Sequence, residues 1–263
     1  MKIETVLKKM DSEPVQPVRY FLDLGDDFFI LNSAIGHKIL IRHTGYQCKA
    51  CGSDEPVYRM GFCRKCFFEH PAAGDWILHP EKSTAHLGIA DRDLVFEQKM
   101  QLQPHLVYLA KTSGVKVGVT RKSQMPTRWI DQGAEEALPF LEVPNRYSAG
   151  KAEVALKAHL ADKTSWREML TPKSLKINLY EVLEKIQPLI PAELKDYLIE
   201  DPDLFRFEYP VENYPERLHQ IKLNMNRFEG RLTGIRGQYL IFENGGVLNV
   251  RNHEGYMVEW EIL

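Results

Sequence analysis

Four cysteines carry the sharpest chemical signal in the sequence. Cys48-Lys49-Ala50-Cys51 and Cys63-Arg64-Lys65-Cys66 form two CxxC knuckles with eleven residues between them. Four thiolates from two tight turns suit the tetrahedral preference of zinc. Gly52 and Gly61 flank the knuckles and permit the turns through which backbone amides reach sulfur. An iron–sulfur cluster also takes four cysteines, but its usual spacings differ. The pattern therefore reads as a zinc ribbon with a structural role, because four protein thiolates leave no open position for water. The sequence holds no other cysteine, which leaves none for a disulfide or a nucleophile and agrees with a reducing compartment.

A second group of chemically capable residues lies between His105 and Ala134. Leu106, Tyr108 and Ala110 alternate with Val107 and Leu109, and a β-branched run from Val115 to Thr120 follows the turn Lys111-Thr112-Ser113-Gly114. Two such runs around a turn ending in glycine predict a hairpin. Gly118, inside the second run, marks a place where another group approaches the backbone closely. Pro126 pre-sets a helical backbone angle just before Thr127 to Gln132, so a helix begins near it, with Arg128 in the first turn where free amides favour an anion. Lys111, Lys116, Arg121, Lys122 and Arg128 make this stretch locally basic against the single acid Asp131. It reads either as a phosphate-binding patch or as a solvated charged face.

This pattern resembles the GIY-YIG nuclease superfamily. Leu106-Val107-Tyr108 stands at that family's first motif, Lys116-Val117-Gly118 at its second and Arg128-Trp129 at its arginine. Leu138 to Val143 matches the third strand, and Glu153, on a helix expected from Lys151 to Leu160, matches the metal-binding glutamate. The second tyrosine is replaced by Lys116, as in divergent branches, and Gln132 stands where some members place a histidine. The whole chain also resembles an uncharacterised bacterial family that pairs this module with a zinc-binding segment.

The resemblance implies a metal-dependent endonuclease or phosphodiesterase acting on DNA or RNA. Tyr108, Lys116, Arg128 and Glu153 are the catalytic candidates, Glu153 holding Mg²⁺ or Mn²⁺, and Lys111, Arg121, Lys122 and Gln132 are candidate nucleic-acid contacts. Lysine is a cation at neutral pH, so Lys116 offers charge to a phosphate more readily than it offers a base. The alternatives are a non-catalytic nucleic-acid binder using the same residues as a phosphate clamp, and a zinc-stapled protein-interaction module. Glu153 also has a plain structural reading, a carboxylate near a helix start.

The elements that must position these groups follow from the rest of the chain. Its 263 residues are 44% hydrophobic and 27% charged, with a net charge of −2 and a pI near 6.5. Those values describe an ordinary globular protein and exclude a globally basic coat, so any phosphate binding is local. The sequence has neither a run of eighteen apolar residues nor a signal-peptide core, which predicts no membrane association and a cytoplasmic location.

The expected fold class is α+β: a small β-β-α-β-α module, a four-cysteine ribbon, and a β-sheet or barrel built from both ends of the chain. The expected organisation is a β segment over 1–46, the ribbon over 47–70, an irregular connector over 71–103, the module with C-terminal helices over 104–215 and a second β segment over 216–263. Short strands are expected over Arg19 to Leu24, Phe28 to Asn32 and Lys38 to Arg42. Ile39 to Tyr46 echoes Leu248 to Tyr256, which predicts two related hairpins; their Arg42, His43, Arg251 and His253 read either as a polar, phosphate-binding rim or as charged residues leaving a strand at a turn. In the connector, His70, His79 and His86 lie among Glu69, Asp75 and Glu81, a mixture able to bind a second metal or to serve as ordinary surface groups. Ser148 is the expected N-cap of the Glu153 helix, Asp162 to Arg167 a capped turn, and amphipathic helices are expected over Leu175 to Ile186 and from Pro191 to Ile199.

Overall fold

The computed structural model describes residues 2–160, 165–171, 175–224 and 226–263. The α+β expectation holds, and the two ends of the chain do share one sheet. Its seven strands run in the order Lys2–Val6, Tyr256–Ile262, Lys38–Tyr46, Arg227–Arg236, Tyr239–Phe242, Gly246–Asn249 and His219–Gln220. A three-stranded sheet, Asp11–Glu13, Arg19–Asp23 and Phe28–Ile30, packs with it around a core containing Leu22, Leu31, Ile39, Ile41, Leu232, Phe242 and Trp260.

The echo between Ile39 to Tyr46 and Leu248 to Tyr256 does not mark equivalent hairpins. The first copy is one unbroken strand, whereas the second spans a strand end, the 3-10 turn Arg251–His253 and the start of another strand. Nor do its polar residues form a rim. His43 and His253 are buried with Tyr256 between them, at ring separations of 4.6 and 5.0 Å, and Arg42 pairs with Glu259.

The hairpin forms as expected, from His105–Lys111 and Val115–Arg121. Glu136–Val143 pairs with the first of these strands and Phe205–Arg206 with Glu136–Val143, giving the sheet order Phe205–Arg206, Glu136–Val143, His105–Lys111, Val115–Arg121. Period-2 alternation sorts its side chains. Val107, Leu109, Val117 and Val119 meet Ala149, Ala152 and Leu156 of the helix Arg146–Lys157, while Leu106, Tyr108 and Ala110 face Trp129 on the other side. That helix starts five residues before Lys151. Asn145, not Ser148, caps it, the Asn145 side chain accepting the Ser148 amide proton at 2.9 Å. The later helices are shorter than expected: Leu179–Ile186, capped by Asn178, and a 3-10 turn over Ala192–Tyr197. Of the turn expected over Asp162 to Arg167, residues 162–164 lie outside the described residues, and Trp166–Met169 forms one helical turn.

The connector is better ordered than its proline and glycine content implies. It holds four 3-10 turns and the helix Leu94–Gln101. Inside it the fully buried Glu97 accepts three backbone amides, those of Asp91, Arg92 and Asp93, at 2.7–3.0 Å. Arg92, thus placed, donates to the carbonyls of Phe67 and His70 and fastens the ribbon helix Arg64–Glu69 to the connector. On its other side the connector docks on Arg146–Lys157: Arg146 donates to the carbonyls of Trp76 and Ile77, and a Cβ at Gly150 would overlap the Glu81 amide.

A buried polar joint ties the module to the end sheet. Asp131 accepts from Lys9 at 2.8 Å and from Gln238 at 2.9 Å, and Gln238 also bonds both the amide and the carbonyl of Met10. Beside it, Arg236 donates to the Gly133 carbonyl and to Glu135. Among the described residues no helix is long and apolar enough to cross a membrane.

His105 is fully buried at the start of the hairpin and its Nδ1 meets the Gln103 carbonyl at 2.7 Å. Burial lowers its pKa to about 4 from an ordinary 6.5. A depressed histidine stabilises the fold fully above the unfolded-state value, and that stability drains away as pH falls toward the folded one. Lowering the pH from neutral to about 5 is therefore expected to cost on the order of 2 kcal/mol through this group. Urea titrations of wild type and His105→Gln at both pH values check it, the variant losing less on acidification; an equal loss contradicts the assignment.

Candidate active site and metal centre

The cysteine cluster assembles as the spacing implies. The turn after Lys38–Tyr46, which holds Cys48 and Cys51, and the strand Phe62–Cys63 with the helix Arg64–Glu69 bring all four Sγ atoms within 4.8 Å of one another. Cys51 and Cys63 are 3.9 Å apart, close to the roughly 3.8 Å separating two ligands on a tetrahedron with 2.3 Å Zn–S bonds. Burial works against ionising Cys48, but the amides of Cys51, Cys63 and Ala50 outweigh it and bring its pKa down to about 6. Cys66, crowded first of all by the Cys51 thiol, is pushed up to about 12. Four thiols this close cannot all ionise without a cation among them, so the donor set fits a zinc ion and its geometry suits a structural site. The connector histidines do not converge. His70 Nδ1 accepts the Ala72 amide, His79 lies 3.4 Å from Glu81, and His86 stacks on Tyr147.

The hairpin site is built around a tyrosine laid across a glycine. Tyr108 and Gly118 are direct partners on the paired strands, and a Cβ at residue 118 would lie 2.7 Å from the Tyr108 hydroxyl. The absence of that carbon is what lets the ring lie flat over the strand, backed edge-on by Trp129 at 5.6 Å. The buried hydroxyl donates to Gln132 Oε1 at 2.9 Å. Burial raises the Tyr108 pKa, the Arg128 charge pulls it back and the Glu153 charge adds to the rise. Residues spread over 46 positions, Tyr108 to Glu153, thus feel one another electrostatically.

Glu153 is half-buried on the Arg146–Lys157 helix. Burial raises its carboxyl pKa, with Lys157, Arg146 and Arg128 opposing the rise and Glu81 adding to it. Arg146 is brought down to about 10, chiefly by burial, while Glu153 holds it up and Arg128 and Arg121 press it down. Lys157, Arg146 and Arg128 therefore act together on the Glu153 carboxylate, while Arg121 acts on Arg146.

The basic patch is only partly open. Lys111 was a candidate nucleic-acid contact, but it is buried and paired with Glu136 at 2.9 Å, so it faces an internal carboxylate instead of solvent. Lys122 pairs with Glu142 at 2.8 Å, and Arg121 reaches Gln124 and the Met100 sulfur. Lys116 and Gln132, the two departures from the superfamily pattern, both line a cleft of about 240 Å³ between the module and the end sheet. Trp166, Tyr239, Asn249 and Arg251 line its other walls. Arg146 and Asn249 had no local signal in the sequence: each is ordinary in its own segment and joins the site only through packing.

The model of the DUF2797 family, described as a protein of unknown function, matches residues 36–258. The chain belongs to that family. No curated protein and no solved structure matches it. The DUF2797 match takes in the ribbon, the connector, the hairpin module and most of the end sheet, and with them Asp131 and Gln238 of the joint but not Lys9 and Met10.

Purified DUF2797 chain is expected to carry one zinc ion. Replacing Cys48 and Cys51 together by serine removes it and lowers Tm by roughly 5 °C or more, as elemental analysis and thermal melts would read; full metal retention refutes the assignment. Gly118→Ala is expected to cost about 1–3 kcal/mol by overpacking. That penalty shrinks when Tyr108→Leu is added, and a denaturation cycle without such coupling contradicts the packing described.

Proposed function

We propose that this chain hydrolyses phosphodiester bonds in nucleic acid, DNA or RNA, at a site formed by Tyr108 and Arg128 with Glu153, which comes from the helix packed on the other side of the hairpin. What carries the reading is that Arg128 and Glu153 both act electrostatically on the buried hydroxyl of the glycine-backed Tyr108. It agrees with the resemblance of the same residues to the GIY-YIG superfamily.

The roles follow from the chemistry of each group. Glu153 is the residue that would hold Mg²⁺ or Mn²⁺: a half-buried carboxylate is a hard oxygen donor, and hard donors fit a hard cation. Such an ion supplies charge neutralisation at a phosphate oxygen. Arg128 presents a planar donor fork suited to a non-bridging oxygen. Tyr108, its pKa raised by burial, keeps its proton at neutral pH, so it orients by hydrogen bonding instead of acting as a base. Lys116, on the cleft beside Gln132, adds positive charge for the strand on either side of the scissile bond. Little covalent chemistry is asked of the protein; positioning and charge do the work as water attacks phosphorus in line.

A second reading is a non-catalytic phosphate clamp. It is favoured by the surplus of cations near Glu153, where Lys157, Arg146 and Arg128 act on the carboxylate and Arg121 acts on Arg146, a balance that suits an anion better than a cation.

Incubating mixed DNA and RNA substrates with Mg²⁺, Mn²⁺ or chelator separates the two. Hydrolysis predicts metal-dependent products that fall roughly a hundredfold or more in Glu153→Ala, since a bound ion contributes several kcal/mol. Salt-sensitive binding without products, weakened by Arg128→Ala, replaces the hydrolase by the clamp.

A further inference from the structure

The zinc ribbon presents a surface that its fold does not explain. Tyr58 and Phe68 are 42% and 55% exposed, although both belong to a small unit with few apolar residues to spare. Their rings lie 5.8 Å apart at 35°, with Phe67 close to each, 5.3 Å from Tyr58 and 5.3 Å from Phe68. Two guanidiniums border them. Arg64 stands 5.5 Å from the Tyr58 ring and 6.0 Å from Phe68, and Arg59 stands 5.6 Å from Tyr58 and 6.0 Å from Phe67. Lys65 is exposed beside them. Among the described residues, no carboxylate pairs with Arg59, Arg64 or Lys65, unlike Lys111 or Lys122 of the hairpin.

Exposed aromatic rings attract planar apolar groups, and uncompensated cations attract anions. A single-stranded nucleic acid offers both at once, unstacked bases joined by phosphates, whereas duplex DNA hides its base faces and offers phosphates alone. Guanidiniums already held against the rings lose less freedom when they engage a phosphate or stack on a base.

We propose that Tyr58 and Phe68, with Arg59 and Arg64, form a stacking platform on the ribbon that binds single-stranded nucleic acid. The platform is fixed relative to the hairpin face. Arg92 fastens the ribbon helix to the connector, and Arg146 fastens the connector to the helix that carries Glu153. A strand held on the ribbon is therefore presented to the module by a rigid path. The platform needs no hydrolysis, so it stands or falls separately from the reaction proposed above.

The experiment is fluorescence anisotropy of the zinc-loaded full chain with a labelled single-stranded oligonucleotide and with the same sequence as duplex. Running it in the Glu153→Ala background keeps cleavage out of the measurement. Wild-type platform residues are expected to favour the single strand. Tyr58→Ala with Phe68→Ala weakens single-strand binding roughly tenfold or more and leaves the duplex largely unaffected. Arg64→Ala lowers the slope of log affinity against log salt by about one, and Tyr58→Trp restores binding. Zinc content and melting temperature verify that each variant is folded. Equal binding of strand and duplex, or unchanged single-strand binding after both rings are removed, overturns the platform. Absence of cleavage in the preceding experiment has no bearing on either outcome.

Discussion

A five-residue helix cannot hold itself together in water, yet Thr127–Asp131 positions Arg128 and, at its C-cap, Gln132. What secures it is the carboxylate of its last residue. Asp131 is nearly buried and fully engaged, by Lys9 from the first β segment and by Gln238 from the last. A buried charge of this kind adds little net stability, and removing one partner is costly because the other is left uncompensated. Its contribution is geometric: the helix sits in one place because nowhere else answers its charge. The relation of Arg128 and Gln132 to Tyr108 therefore depends on residues more than a hundred positions away on either side, and the end sheet serves as the module's missing support.

The same logic recurs at the other wall of the site. Helix Arg146–Lys157 packs its small residues, Ala149 and Ala152, on the hairpin, while Gly150 gives up its side chain so that the connector can touch the backbone. Glu97, Arg92 and Arg146 then relay this contact to the ribbon through hydrogen bonds to backbone groups. Polar side chains reaching across unit boundaries thus tie ribbon, connector, module and end sheet, beside apolar contacts such as Ile130 in the end-sheet core and Met169 and Leu170 against Ile241 and Val247.

Much of this was legible in the sequence, and the division is physical. The two CxxC knuckles, the alternation of Leu106, Tyr108 and Ala110, and the mid-strand Gly118 are local signals, each set by covalent geometry or by period-2 packing, and all three survive in the structure. What failed depends on context. Asn145 and Ser148 are both good caps, and the choice between them rests on which backbone is extended. The likeness of Ile39 to Tyr46 and Leu248 to Tyr256 encodes alternation and a turn glycine, but nothing about which strand each will pair with. Lys111 looked like part of a basic surface because its partner Glu136 lies on a different strand. Arg146, Asn249 and the Asp131 joint were invisible for the same reason: each acquires its role only once distant segments meet.

The end sheet also sets a schedule. Lys38–Tyr46 lies between Tyr256–Ile262 and Arg227–Arg236, so neither of its partners exists until about 180 further residues have been made. At ordinary rates of synthesis that interval is roughly ten to forty seconds. During it an apolar strand waits with both edges bare, while the ribbon and the hairpin, whose pairings are local, can already form. The Asp131 joint must come later still, because Gln238 follows the strand that begins to close the sheet. The metal centre is therefore the early part of this molecule and the hairpin face is among the last to be completed, which makes assembly of that face a report that the whole chain has folded.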